Sequence, residues 1–247
     1  QRKIMDRTRP WIMLGLLIPI VSLLAIGQRL ILVSGAPMDM WEFAEFCTHL
    51  LFIVQLITLV VAGDVISGEF EWGTAKLLLI RPVSRTKILL AKFAAVLIFL
   101  LTGLAVLLIS SLLFGAFLFR WEASAGHVPD RLIHLGVIYG LYGVQVTVTA
   151  SLAFMLSAVS RSSTLSVGLS IFLFFSGVIL SELFAMWGID LGKYLLFANL
   201  DLSPYYLGIS PSFPDMSAVH SLTVLTIHFV LFHVIAWWSF AKRDVLL

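Results

Sequence analysis

Charge is scarce in this 247-residue chain: Asp, Glu, Lys and Arg make up 12% of it, about half the share of an ordinary soluble domain. With 60% hydrophobic residues, that shortage excludes a soluble globular protein. Cysteine is nearly absent too. Cys47 alone cannot close an internal disulfide, and no Cys/His pair has zinc-ligand spacing, so no metal site is expected. The net charge of +2 is too small to point to nucleic acid. There is no internal repeat, low-complexity tract or long polar linker. The chain opens on Gln1 rather than Met, so residues preceding it are expected. Its first apolar run lacks a small-residue cleavage site and is expected to be a retained span rather than a signal peptide.

What the chain has in abundance is long apolar runs. Six are long enough to cross a bilayer: about Trp11 to Ile26, Cys47 to Ile66, Leu89 to Phe119, Leu135 to Val159, Leu165 to Met186 and Ala218 to Phe240. They imply an all-α integral membrane protein with a single transmembrane domain over 1–247. Pro19 interrupts the first run, and the third is long enough to tilt or to project beyond the bilayer. Six crossings place both termini on one side. With the termini inside, 12 of the 16 Lys and Arg fall on inner segments and only Arg29, Arg120, Arg131 and Lys193 outside. The excess predicts cytoplasmic termini in a multi-pass protein of the plasma (cytoplasmic) membrane. Nine of the 14 carboxylates fall outside. The largest outer segment, Gly188 to Ser217, carries Pro204, Pro211 and Pro214 and is either a plain loop or a set of interfacial or re-entrant turns.

The connection between the second and third spans, 67–88, is the longest inner one and mixes both charge signs with apolar residues. Gly73 gives a flexible break, and Thr74 is a good N-cap for a two-turn helix over Ala75 to Arg81 that contains Lys76, Leu77 and Leu78. Arg81 suits the C-terminal end of that helix and Pro82 stops it. Ser84 can cap the third span, whose first turns would carry Lys87 and Lys92 toward the headgroups. Such a helix can dock into a groove on a soluble partner or lie on the headgroups.

The run Glu69-Phe-Glu71-Trp-Gly73-Thr74, followed by a short apolar stretch and then Arg81-Pro82-Val83-Ser84-Arg85 and Lys92, resembles the signature of permease subunits of type-2 ABC exporters. The six-span layout, the Ser160-Arg161-Ser162-Ser163 turn and the Phe240-Ala-Lys242-Arg243-Asp244 end extend the resemblance over most of the chain. It implies a type-2 ABC exporter permease fold with a short cytoplasmic coupling helix between spans 2 and 3. It also implies two separate ABC ATPase subunits and a second permease copy or homologous permease, all working in the lipid bilayer. The coupling residues would be Glu69, Glu71, Gly73, Thr74, Lys76, Leu77, Leu78, Arg81, Pro82, Ser84 and Arg85, with Glu69 and Glu71 pairing with nearby Arg or Lys. No Gly-x-x-x-x-Gly-Lys-Ser/Thr loop occurs in this chain, so ATP and Mg are expected on the partner and no enzymatic activity or catalytic residue is expected here.

Within the spans, Gln55 and Thr58 share a face, as do Gln145 and Thr149. They are candidates either for a cargo path or for hydrogen bonds between helices, the latter helped by the small residues Gly136 and Gly140. His220, His228 and His233 have poor spacing for a shared metal and are expected to pack. Many phenylalanines suit an amphipathic cargo such as a peptide antibiotic, a lipid or a drug-like molecule, and suit lipid-facing packing equally. Two other classes compete with the exporter. A stand-alone secondary transporter would normally carry an ionisable group at mid-span, and an intramembrane enzyme would need convergent acid, base or metal-ligand residues.

Overall fold

A computed structural model describes residues 8–31, 38–74, 84–120, 128–213 and 215–242. Its regular elements among these residues are all helices, without strands. Six helical stretches are long and apolar enough to cross a membrane: Pro10–Leu30, Met40–Asp64, Arg85–Leu118, Val128–Val159, Ser163–Met186 and Ala218–Lys242. The elements are α1 (Thr8–Gly15), α2 (Leu17–Ile31), α3 (Met40–Phe46), α4 (Leu51–Asp64), α5 (Ser67–Glu71), α6 (Arg85–Leu118), α7 (Val128–Val159), α8 (Ser163–Met186), α9 (Ser203–Leu207) and α10 (Ala218–Lys242). They form two compact units, Thr58–Ile98 with Val144–Leu247, and Arg2–Ile57 with Phe99–Gly143.

Local chemistry sets the ends of the helices. Pro19 falls in the first turn of α2, where its missing N–H breaks no helical bond. The second span starts at Met40, earlier than its apolar run, because Asp39 and Glu42 form a capping box: Glu42 N–H donates to Asp39 Oδ1 at 2.7 Å and Asp39 N–H to Glu42 Oε2 at 3.1 Å. Ser162 caps α8. That helix ends in a Schellman turn, with Gly188 at φ 66°, Ile189 N–H on Phe184 O and Gly188 N–H on Ala185 O. The 34 residues of α6 run about 51 Å, well beyond the roughly 30 Å of a hydrocarbon core.

In the unit built from Arg2–Ile57 and Phe99–Gly143, close helix contacts are made at glycines. A Cβ on Gly103 would meet Leu14 and Val54, each at 3.1 Å, and one on Gly115 would meet Met40 at 3.2 Å. Phe43 stacks on Phe119 with ring centroids 4.9 Å apart. Met40, Trp41, Ala44 and Leu135 form a buried cluster with Leu112 against it. Gly136 and Gly140, expected to bring helices together, have open space beside them, so they form no close helix contact among the described residues.

In the other unit, the segment after α8 folds back onto it. Short 3-10 turns at Asp190–Tyr194 and Phe197–Asn199 pack against α8. The Phe197 ring lies on Gly177, where a Cβ would come within 2.1 Å of it. Gly177 lies nine residues before the helix end at Met186, about 14 Å along the axis, so the segment re-enters alongside α8 rather than looping away. Asn199, fully buried, ties the turns together through its Nδ2 to Lys193 O and Leu195 O, both at 2.8 Å. Phe93, Phe154 and Phe229 surround His233, whose Nδ1 lies 2.9 Å from Phe229 O. That carbonyl can only accept, so Nδ1 carries the proton and the histidine serves packing.

Candidate functional site: the elbow after the second span

The second span breaks after Asp64, and the chain turns at Val65–Ile66 into the five-residue helix α5. α5 has no side-chain cap of its own, so partners on other helices hold its exposed backbone groups. Ser157 on α7 supplies the first: its hydroxyl oxygen accepts from Ile66 N–H at 3.0 Å and Ser67 N–H at 2.9 Å. Ser67 Oγ and Ser166 Oγ, 2.8 Å apart, each donate to Gly63 O at 2.7 Å. Ser67, Ser157 and Ser166 are fully buried, so this polar cluster is satisfied without water. Gly63 permits it, since a Cβ there would meet Val167 at 3.1 Å.

Each carboxylate of the elbow has a different partner. Glu69 pairs with Lys92 Nζ at 3.0 Å, and both side chains are nearly buried (11% and 13% exposed). Lys92 also donates to Val65 O at 2.9 Å. Lys92 therefore turns inward to the elbow rather than out toward headgroups. Glu71, which is exposed, accepts from Ser163 N–H at 2.6 Å in the first turn of α8, where a helix favours negative charge. Among the described residues its partner is thus a helix N-terminus rather than Arg or Lys. Asp64 accepts from the Ser163 hydroxyl and sits over Gly68, where a Cβ would approach it to 2.5 Å.

Beyond the elbow, Gly73 takes φ 68°, the left-handed conformation that favours glycine. The Thr74 hydroxyl turns back to the Glu69 carboxylate. Lys76, Leu77, Leu78, Arg81 and Pro82 lie outside the described residues, as does the rest of 75–83. Past them, Ser84 caps α6, accepting from Lys87 N–H at 3.4 Å. Arg85 Nη1 reaches the C-terminal end of α10, donating to Phe240 O at 3.2 Å and Ala241 O at 2.8 Å. These are terminal carbonyls that a cation suits.

The structure therefore brings Glu69, Glu71, Gly73, Thr74, Ser84 and Arg85 to one end of the helices of one unit. Asp64, Lys92, Ser157, Ser163 and Ser166 belong with them although sequence reasoning gave them no site role. A signal was present for two of these, since Ser163, Ser166 and Ser170 recur at helical spacing. The mid-span polar residues lie elsewhere. Gln55, Thr58 and Thr149 are fully buried, and the Thr149 hydroxyl bonds its own helix at Gln145 O (3.2 Å) and Val146 O (3.1 Å). Among the described residues, no group of three His, Cys, Asp or Glu could hold a metal ion.

A family model described as "Protein of unknown function (DUF2705)" matches residues 16–246. The "Uncharacterized protein YhcI" of Bacillus subtilis (strain 168) is 38% identical over 224 residues, 86% of this chain and 71% of that protein. The "Uncharacterized membrane protein YdbK" of the same organism is 28% identical over 218 residues, 88% of each. The "Probable ABC transporter permease protein NosY" of Stutzerimonas stutzeri is 28% identical over 188 residues, 72% of this chain and 62% of that protein. With six apolar helices and relatives of this kind, the chain is a multi-pass membrane protein that belongs to the family described as "Protein of unknown function (DUF2705)".

Proposed function

We propose that this chain is the permease subunit of an ATP-driven exporter with the type-2 ABC permease fold. Two ATPase subunits, carrying ATP and Mg, act on it from the cytoplasm, and a second permease copy or a homologue completes the path through the plasma membrane. Both termini and the elbow lie on the cytoplasmic side. Segment Ala75–Arg81 is the coupling helix that docks into the ATPase. The chain itself is not an enzyme.

The observation that carries this reading is the anchoring of α5, directly before that segment, to three membrane helices: by Glu69 to Lys92 on α6, by Ser157 on α7, and by Glu71 to the start of α8. A push on the segment would be felt at once by helices that cross the bilayer, whereas a loop lying on headgroups has no need of such bracing. The similarity to NosY supports the same reading. Cargo would bind the two end states with different affinity. Gln55, Thr58, Gln145 and Thr149 are the polar positions assigned to its path, and the cargo is amphipathic. Purification in mild detergent is expected to bring down a stoichiometric protein with a phosphate-binding loop, with ATP hydrolysis lost on deleting 75–81. A protein that stays alone and inactive across several mild detergents would overturn the proposal.

A further inference from the structure

The first turn of α6 and the last turn of α10 meet in a way the elbow does not use. Trp237 Nε1–H donates to Thr86 Oγ1 at 3.0 Å, and Arg85 Nη1 to Ala241 O at 2.8 Å. The next residue along each chain is a lysine: Lys87 follows Thr86 and Lys242 follows Ala241. A lysine thus stands one residue from each of these contacts, and both lysine side chains are exposed. Neither has a carboxylate within ion-pair distance among the described residues. Lys242 stands over the Trp238 ring, 4.6 Å from its centroid, which orders the ammonium without bringing a carboxylate of the described residues to it. Trp238 is 55% exposed, and its indole N–H has no acceptor among the described residues. Paired tryptophans at the end of an apolar helix mark the depth of the lipid headgroups, where the anions within reach are phosphates.

We propose that this junction is a seat for the headgroup phosphate of an anionic phospholipid, held by Lys87, Lys242 and the Trp238 indole N–H. The arrangement separates labour among the basic residues. Arg85 serves the carbonyls at the end of α10, so the two lysines are left for the lipid. The acyl chains would lie along exposed Leu90 of α6 and Val234 of α10. The seat stands independently of any ATPase partner, because lipid and protein alone make it.

The test is native mass spectrometry of the full chain titrated in mixed micelles with phosphatidylglycerol or phosphatidylcholine. The wild type is expected to retain phosphatidylglycerol preferentially. Lys87→Gln and Lys242→Gln should each weaken that retention about fivefold and the double variant roughly 30-fold. Lys193→Gln, which removes one charge elsewhere, should leave it unchanged, and so should excess inorganic phosphate. Equal retention of both lipids by the wild type, unchanged retention in both single variants, an equal loss in Lys193→Gln, or displacement by inorganic phosphate would each overturn the assignment.

Discussion

Replacing Lys92 by methionine is expected to destabilise the protein by about 3 to 5 kcal/mol, because it takes an ammonium away from the Glu69 carboxylate in a nearly dry setting. Thermal unfolding in detergent should show the midpoint falling on the order of 10 °C. The Thr74 hydroxyl still reaches Glu69, but a neutral donor does not replace an ammonium. A double change, Lys92→Met with Glu69→Met, removes both charges and is expected to recover most of the loss, since apolar replacement of a buried pair is often close to neutral. Recovery would be incomplete, as Val65 O also loses its donor. A single variant as stable as the wild type would show that the pair is solvated and does not hold the elbow.

Charge reversal at Glu71 and Arg85 should act on transport more than on folding. Glu71→Lys sets an ammonium against the N-terminus of α8, and Arg85→Glu sets a carboxylate against the terminal carbonyls of α10. Glu71 is exposed and Arg85 half-buried, so the changes are expected to cost about 1 kcal/mol and about 2 kcal/mol of stability respectively. If these contacts relay the motion of the coupling segment, export per ATP hydrolysed should fall about tenfold or more, within the usual range of coupling free energies, or the ATPase should dissociate. Membrane insertion should be unchanged. Normal export by both variants would defeat the assignment of Glu71 and Arg85 to coupling.

Much of the helix pattern was legible because a bilayer demands long apolar runs and the sequence supplies six. Helix starts were less so. Met40 and Val128 begin their helices ahead of the apolar runs, in the first case because a capping box extends the helix into polar sequence. The elbow was legible as a motif, but its partners were not. Lys92 follows five residues after Lys87 and reads as another headgroup lysine, and only folding shows that it faces Glu69. Ser157 and Ser166 read as ordinary small residues of membrane helices until α5 presents its unpaired N–H groups. The glycines mislead for a similar reason. Gly136 and Gly140 have the spacing of a packing motif, yet the close contacts in the fold fall at Gly63, Gly103 and Gly177, where the neighbouring side chains come from distant parts of the chain.

The central claim is that 75–81 docks into an ATPase, and photo-crosslinking from that segment tests it most directly. A photoreactive amino acid at Leu77 or Leu78, activated in native membranes, is expected to capture a protein that carries a phosphate-binding loop, with the yield changing when ATP is added. Crosslinks to lipid alone, with no such protein captured from either position, would contradict the account.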